Sequence, residues 1–220
     1  MLYVGFAFLF GLFIPYMARR FAKFMPATFA CAVLELCKPG KKNKNFRRTK
    51  QYKNFLMHSI MSAFIALGVT WIALVHFGTF GFGFYVFYIL ALLLLAEIDA
   101  RTMLLPDILT VPLLLMGFFT ASADMGMVSV TECALGAVIG YFLPVLVSFL
   151  IVWYRKDAFG GGDIKLLSAI GAWLGVEGLL YVIMLASILG IIYALVKRRS
   201  ALAFGPMIAF SGLAVAIVLF

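Results

Sequence analysis

Acidic residues are scarce in this chain. Its 220 residues hold nine Asp and Glu against 18 Lys and Arg, with two His and three Cys. Charged residues make up 12% and hydrophobic ones 65%, where a soluble domain has about 25% and about 45–50%. The three cysteines, Cys31, Cys37 and Cys133, contain no C-x-x-C pair, which excludes a disulfide framework and a paired zinc knuckle. His58 and His76 stand near opposite ends of one apolar run and cannot share a metal. There is no G-x-S-x-G elbow and no H-E-x-x-H pair, so neither a serine-hydrolase nor a zinc-protease site is written here.

What is present is apolar sequence in long runs. The composition is that of an all-α, polytopic integral membrane protein in contact with the lipid bilayer. The length allows about eight transmembrane helices at ~20 residues each. Expected spans cover residues 2–18, 54–76, 84–99, 107–123, 132–153, 163–175, 178–196 and 205–220. Residues 24–37 read as a segment lying along the membrane surface. The basic stretch within 19–53, densest from Lys38 to Lys53, is the one long polar segment and reads as a topogenic loop. Two regions follow: an N-terminal membrane region, 1–78, and a membrane domain, 79–220.

A net charge of +9 in a soluble chain would suggest nucleic acid. Here little aqueous-facing area remains for one, and topology accounts for the charge. Alternating the spans puts all 18 Lys and Arg on one side and leaves Asp124, Glu132 and Glu177 on the other. By the positive-inside rule the basic side is cytoplasmic. Met1–Ala18 lacks a basic segment before its apolar run, so it reads as a retained first span with its N-terminus outside.

That map gathers Asp99, Asp107 and Asp163 at the cytoplasmic boundary. An ionisable group beside hydrocarbon costs on the order of 2.5–3.5 kcal/mol on insertion scales, so it usually faces protein or water and often marks function. Asp99 ends a helix, where the dipole disfavours negative charge, which favours a functional role. Asp163 reads equally as a functional group and as an N-cap, although capping does not explain Gly160, Gly161 and Gly162 before it. Those glycines suit a tight turn or the close approach of another helix or an extended substrate. Asp107, after Pro106, fits an N-cap better than a catalyst. Lys165 and Arg101 read as snorkelling charges, and Glu97 is given no role. Two carboxylates at short range share a proton, so one can activate water while the other protonates a leaving nitrogen, with no metal or covalent nucleophile. A second reading is a proton-coupled transporter whose aspartates relay protons.

At these residues the chain resembles the type IV prepilin leader peptidases, a family of GxGD-type aspartic membrane proteases. The resemblance is carried by Asp99-Ala-Arg-Thr-Met-Leu-Leu-Pro-Asp107, by Gly160-Gly-Gly-Asp-Ile-Lys-Leu166 and by Phe204-Gly205-Pro206. It implies that Asp99 and Asp163 are the catalytic pair, with Gly160, Gly161, Gly162, Lys165, Pro106 and Asp107 supporting the site. The implied substrates are prepilins or pseudopilins of type IV pilus or type II secretion systems. The implied activity is removal of their short basic leader at the cytoplasmic face of the bacterial inner membrane. Proteolysis needs no cofactor. Many relatives also N-methylate the product with S-adenosylmethionine, for which no residue here can be named. Longer relatives carry zinc-binding C-x-x-C pairs in the first loop. Their absence from 38–53 argues against zinc. A presenilin-like protease would open its last helix with Pro-Ala-Leu, and this chain has Phe-Gly-Pro there instead.

Overall fold

The computed structural model describes residues 2–24, 60–71, 82–152, 160–197 and 203–219. The surface segment 24–37, the basic loop, Cys31, Cys37, His58 and His76 lie outside the described residues apart from Phe24. In chain order the helices are α1 (Leu2–Phe24), α2 (Ile60–Trp71), α3 (Phe82–Thr102), α4 (Asp107–Ser122), α5 (Val130–Val152), α6 (Gly161–Lys197) and α7 (Gly205–Leu219). The protein is all-α and its helices are those of a polytopic membrane protein. Four of them, α1, α3, α5 and α6, are long and apolar enough to cross a bilayer, while α2, α4 and α7 are shorter. With 16 residues, α4 is about 24 Å long against a hydrocarbon core of about 30 Å.

Helix α3 lies at the centre. A helix that is apolar all round fits either a lipid-facing span or a position enclosed by other helices, and α3 takes the second. Every residue from Tyr88 to Ala96 is buried, and α1, α4 and α7 pack against α3. The buried Tyr88 hydroxyl donates to the Gly212 carbonyl of α7 at 3.3 Å, and its ring lies 4.9 Å from that of Trp173 in α6. The Trp173 indole N–H in turn donates to the Leu113 carbonyl of α4 at 2.8 Å. Two aromatic side chains with polar handles thus join four helices without an unsatisfied donor.

The single long element α6 is two arms. Gly175 has φ 69° and ψ −170°, a backbone conformation that side chains with a Cβ rarely adopt, so the helix breaks there. At the start of the first arm a Cβ on Gly162 would meet Leu105, while one on Gly175 would meet Val128 and Glu132 at the other end of α4 and α5. In the second arm a Cβ on Gly178 would lie near Leu219 and one on Gly190 near Phe204, at the two ends of α7. The second arm therefore runs back toward the end from which the first arm started. The sequence reading of separate spans at 163–175 and 178–196 describes the same reversal.

The first arm is clamped to α5 by small residues. A Cβ on Gly136 would fall 2.1 Å from the Gly171 carbonyl oxygen, and one on Gly140 would fall 2.6 Å from that of Leu167. The Ser168 hydroxyl donates to the Ala137 carbonyl at 2.8 Å. Backbones at this separation gain dispersion contacts that lipid tails cannot match. The start of α5 is closed by a capping box, with Glu132 accepting from the Ser129 N–H and the Glu132 N–H donating to the Ser129 hydroxyl.

Because the Gly136 contact is with backbone, Gly136→Val is expected to prevent recovery of monodisperse protein in detergent. Gly5→Val, where a Cβ meets nothing within 4 Å, is expected to extract normally. Size-exclusion profiles of the two variants check this.

Candidate active site

The end of the bundle where α3 finishes, α4, α6 and α7 begin, and α1 ends holds every described Lys and Arg side chain that makes an ion pair or hydrogen bond. Helix α3 continues past Asp99 to Thr102, three residues further than the sequence reading had it. The Met103 N–H donates to the Asp99 carbonyl at 2.8 Å, and Met103 takes φ 53°. This is a left-handed C-terminal stop, here made by methionine in a position that favours glycine. The Thr102 hydroxyl donates to the Ile98 carbonyl at 2.8 Å and accepts the Leu104 N–H at 3.3 Å, which secures the turn.

Asp99 therefore sits in the last turn of α3, at 3% exposure. Its Oδ2 accepts the backbone N–H of Gly205, the first residue of α7, at 2.9 Å. The Phe204 carbonyl accepts the N–H groups of Met207 and Ile208, so α7 begins there and the Gly205 N–H has no partner within its own helix. The N-terminal end of one helix dipole faces the carboxylate that the C-terminal end of another disfavours. A Cβ on residue 205 would fall 2.6 Å from Asp99 Oδ2. Only glycine fits.

Asp163 is the third residue of α6, and its N–H donates to the Gly160 carbonyl at 3.0 Å. It is therefore not the N-cap, which corrects one of the two readings open at the sequence level. Its half-buried carboxylate has no hydrogen-bond or ion-pair partner among the described residues, and it lies within direct electrostatic range of Asp99. The structure thus brings Asp99 and Asp163 together at one end of the bundle.

The three glycines before Asp163 differ in what they permit. A Cβ on Gly162 would fall 2.7 Å from that of Leu105, so the loop between α3 and α4 rests directly on the start of α6. A Cβ on Gly160 would lie 3.2 Å from Asp163 Oδ2, and one on Gly161 meets nothing within 4 Å. None of the three has positive φ; among the described glycines only Gly175 does. Close approach of another element is supplied by Gly162 alone.

Pro106 is buried and is itself the N-cap of α4, with φ −76° and ψ 133° and no side-chain cap. Asp107 is the first helical residue, not the cap expected from its position after proline. Both its oxygens accept from Lys165 Nζ at 2.7 Å, joining the starts of α4 and α6. Lys165 is accordingly paired and does not simply reach for water. Arg101 is also paired: its Nε donates to Glu97 Oε1 at 2.7 Å, and Nη2 contacts the same oxygen. Arg19 of α1 interacts electrostatically with both. Glu97, to which the sequence reading assigned nothing, therefore pairs with Arg101 at this end, close to Arg19 of α1. The i,i+4 spacing of Glu97 and Arg101 was the available signal. Gly205 was visible only as part of Phe-Gly-Pro.

The geometry can be set beside known proteins. Residues 86–195 match the model of the type IV leader peptidase family. This chain belongs to that family. Proteins named prepilin leader peptidase/N-methyltransferase are among its relatives. The one from Dickeya chrysanthemi is 43% identical over 130 residues, 54% of this chain and 44% of that protein. The one from Pectobacterium carotovorum subsp. carotovorum is 37% identical over 167 residues, covering 69% and 55%. The one from Escherichia coli K12 is 42% identical over 130 residues, covering 56% and 57%. The chain spans about half the length of the curated relatives it matches. No solved structure matches it. Nothing in these comparisons points to transport. Among the described residues of this leader peptidase family member, no group of three or more His, Cys, Asp and Glu is placed to hold a metal ion.

The Asp107–Lys165 pair is exposed, and such pairs contribute about 0–1 kcal/mol. Asp107→Lys combined with Lys165→Asp is expected to restore any stability lost by either change alone. A double-mutant cycle on detergent melting temperatures checks this.

Proposed function

We propose that this chain is a membrane-embedded aspartic endopeptidase with Asp99 and Asp163 as its catalytic pair, acting on type IV prepilins or pseudopilins. The observation that carries the reading is that these two carboxylates, distant in sequence, lie within electrostatic range of each other at the start of α6 and the end of α3. One takes a proton from water as the water oxygen attacks the scissile carbonyl carbon. The other donates a hydrogen bond, then a proton, to the carbonyl oxygen. The tetrahedral diol collapses as one hydroxyl returns its proton and the nitrogen receives the other, which releases an acid and an amine. Two carboxyl groups that cannot readily ionise together supply both functions. Gly162, Pro106 and the Asp107–Lys165 pair support them by letting the α3–α4 loop and the start of α6 approach, and Gly160 leaves the space beside the Asp163 carboxylate clear.

The side of action follows from charge. The aspartates lie at the end that carries Arg19, Arg101 and Lys165, and by the positive-inside rule this end faces the cytoplasm of a bacterial inner membrane, with the N-terminus outside. The substrate would present a short basic leader there, before a long apolar helix in the bilayer. Residues 79–220 form the proteolytic unit in this reading, and no metal enters the chemistry. The relatives' names include N-methyltransferase. A cavity of about 10 Å³ between α2, α3 and α7, lined by Tyr85, Tyr88 and Met127, is far too small for S-adenosylmethionine. That cavity does not hold the donor, and no methyl-transfer step is derived.

Asp99→Asn and Asp163→Asn are each expected to reduce cleavage of a co-expressed prepilin by at least about 10³-fold while the protein still inserts. The mass of the pilin N-terminus reads this directly, since leader loss and methylation change it by different amounts. Normal processing by either inserted variant would remove the assignment.

A further inference from the structure

The two carboxylates are held unequally. Asp99 is sealed at the end of the most buried helix and has one hydrogen-bond donor, the Gly205 N–H. Asp163 is half-buried and has no such donor among the described residues. We propose that Gly205 is a positioning residue for the reaction: its N–H occupies Asp99 Oδ2 and so leaves Oδ1 as the oxygen that faces the attacking water.

Three features of the structure converge on this. The Gly205 N–H lies before the first hydrogen-bonded turn of α7, so it is unused by the helix and donates to Asp99. The position admits no side chain, because a Cβ would stand 2.6, 2.8 and 2.9 Å from Asp99 Oδ2, Cγ and Cβ. The chain entering α7 is itself fixed, since the Phe204 ring lies where a Cβ on Gly190 would reach it at 2.9 Å. A carboxylate with one oxygen bound to a rigid helix end has its plane set. A half-turn only exchanges two equivalent oxygens, whereas a partial rotation that carried both away from the Gly205 N–H would leave a buried donor unsatisfied, so the carboxylate plane stays fixed with one oxygen on Gly205. In the first step Oδ1 of Asp99 accepts the water proton as the C–O bond forms. In the second step it returns that proton to the nitrogen as the C–N bond breaks. Oδ2 remains on Gly205 throughout.

The inference rests on the endopeptidase reading, so its test has one arm that uses substrate and one that does not. The first arm measures cleavage of a model prepilin with a basic leader by full-length protein in detergent. Gly205→Ala is expected to lower kcat by about 10²-fold or more with KM within about threefold, as for a displaced reacting group. Pro206→Ala, which keeps the Gly205 N–H, is expected to stay within about threefold on both. A properly inserted Gly205→Ala variant with normal kcat would overturn the proposal while leaving the roles of Asp99 and Asp163 intact. The second arm measures hydrogen exchange at the Gly205 amide in variants that need not cleave anything. Asp99→Asn keeps an acceptor oxygen and should preserve protection, whereas Asp99→Ala should raise the exchange rate by about tenfold or more. Equal exchange in the two variants would overturn it even if Gly205→Ala failed to insert.

Discussion

A carboxylate enclosed at the end of an apolar helix must be given a donor, and the meeting of Asp99 with the start of α7 meets that need. The constraint reaches well beyond one hydrogen bond. It requires α7 to begin beside the end of α3, which in turn requires α7 to run antiparallel to α3 along its length. The Tyr88 hydroxyl on Gly212 marks that alignment at mid-height. Two helix ends of opposite dipole then face each other across a single acid, and the unfavourable terminus of one is offset by the favourable terminus of the other.

The rest of the bundle brings a second acid to that point. Asp163 reaches it because the first arm of α6 runs parallel to α4, held by Trp173 on the Leu113 carbonyl at one level and by Lys165 on Asp107 at another. It stays close because Gly162 lets the α3–α4 loop settle onto the start of the arm, and because Gly136, Gly140 and Gly171 let α5 press on it from the other side. The second arm gives one face to the buried core. Leu179, Val182 and Ala186 are buried on that face, while Ile188, Ile191, Ile192 and Leu195 on the other remain exposed and suit a lipid-facing surface. Precise placement of acids near a membrane is thus achieved by small residues and backbone contacts, since apolar side chains alone gain little from exchanging lipid for protein.

Much of this was readable beforehand. Spans at 84–99, 107–123, 132–153, 163–175, 178–196 and 205–220 each coincide with a helix or arm to within a few residues, because long apolar runs bounded by Gly, Pro and charge leave few alternatives. The pairing of two acidic motifs was legible in Leu-Pro-Asp and Gly-Gly-Gly-Asp. The capping assignments were not. Asp107 and Asp163 both follow residues typical of helix starts, yet the proline caps α4 and α6 begins two residues before its acid, so each carboxylate was released for a tertiary partner or for none.

What the sequence alone determined is therefore the helical, membrane-embedded character of the chain and the identity of the acids that stand with Arg19, Arg101 and Lys165 at one end. Those follow from composition and spacing, which act along the chain. The partners of the two aspartates at helix ends were decided only by the tertiary structure. Glu97 with Arg101 is an i,i+4 pair within one helix, whereas Asp107 with Lys165 and Asp99 with the Gly205 amide depend on which helix ends adjoin. That adjacency is set by how closely backbones can pack, and hydrophobic pattern does not encode it.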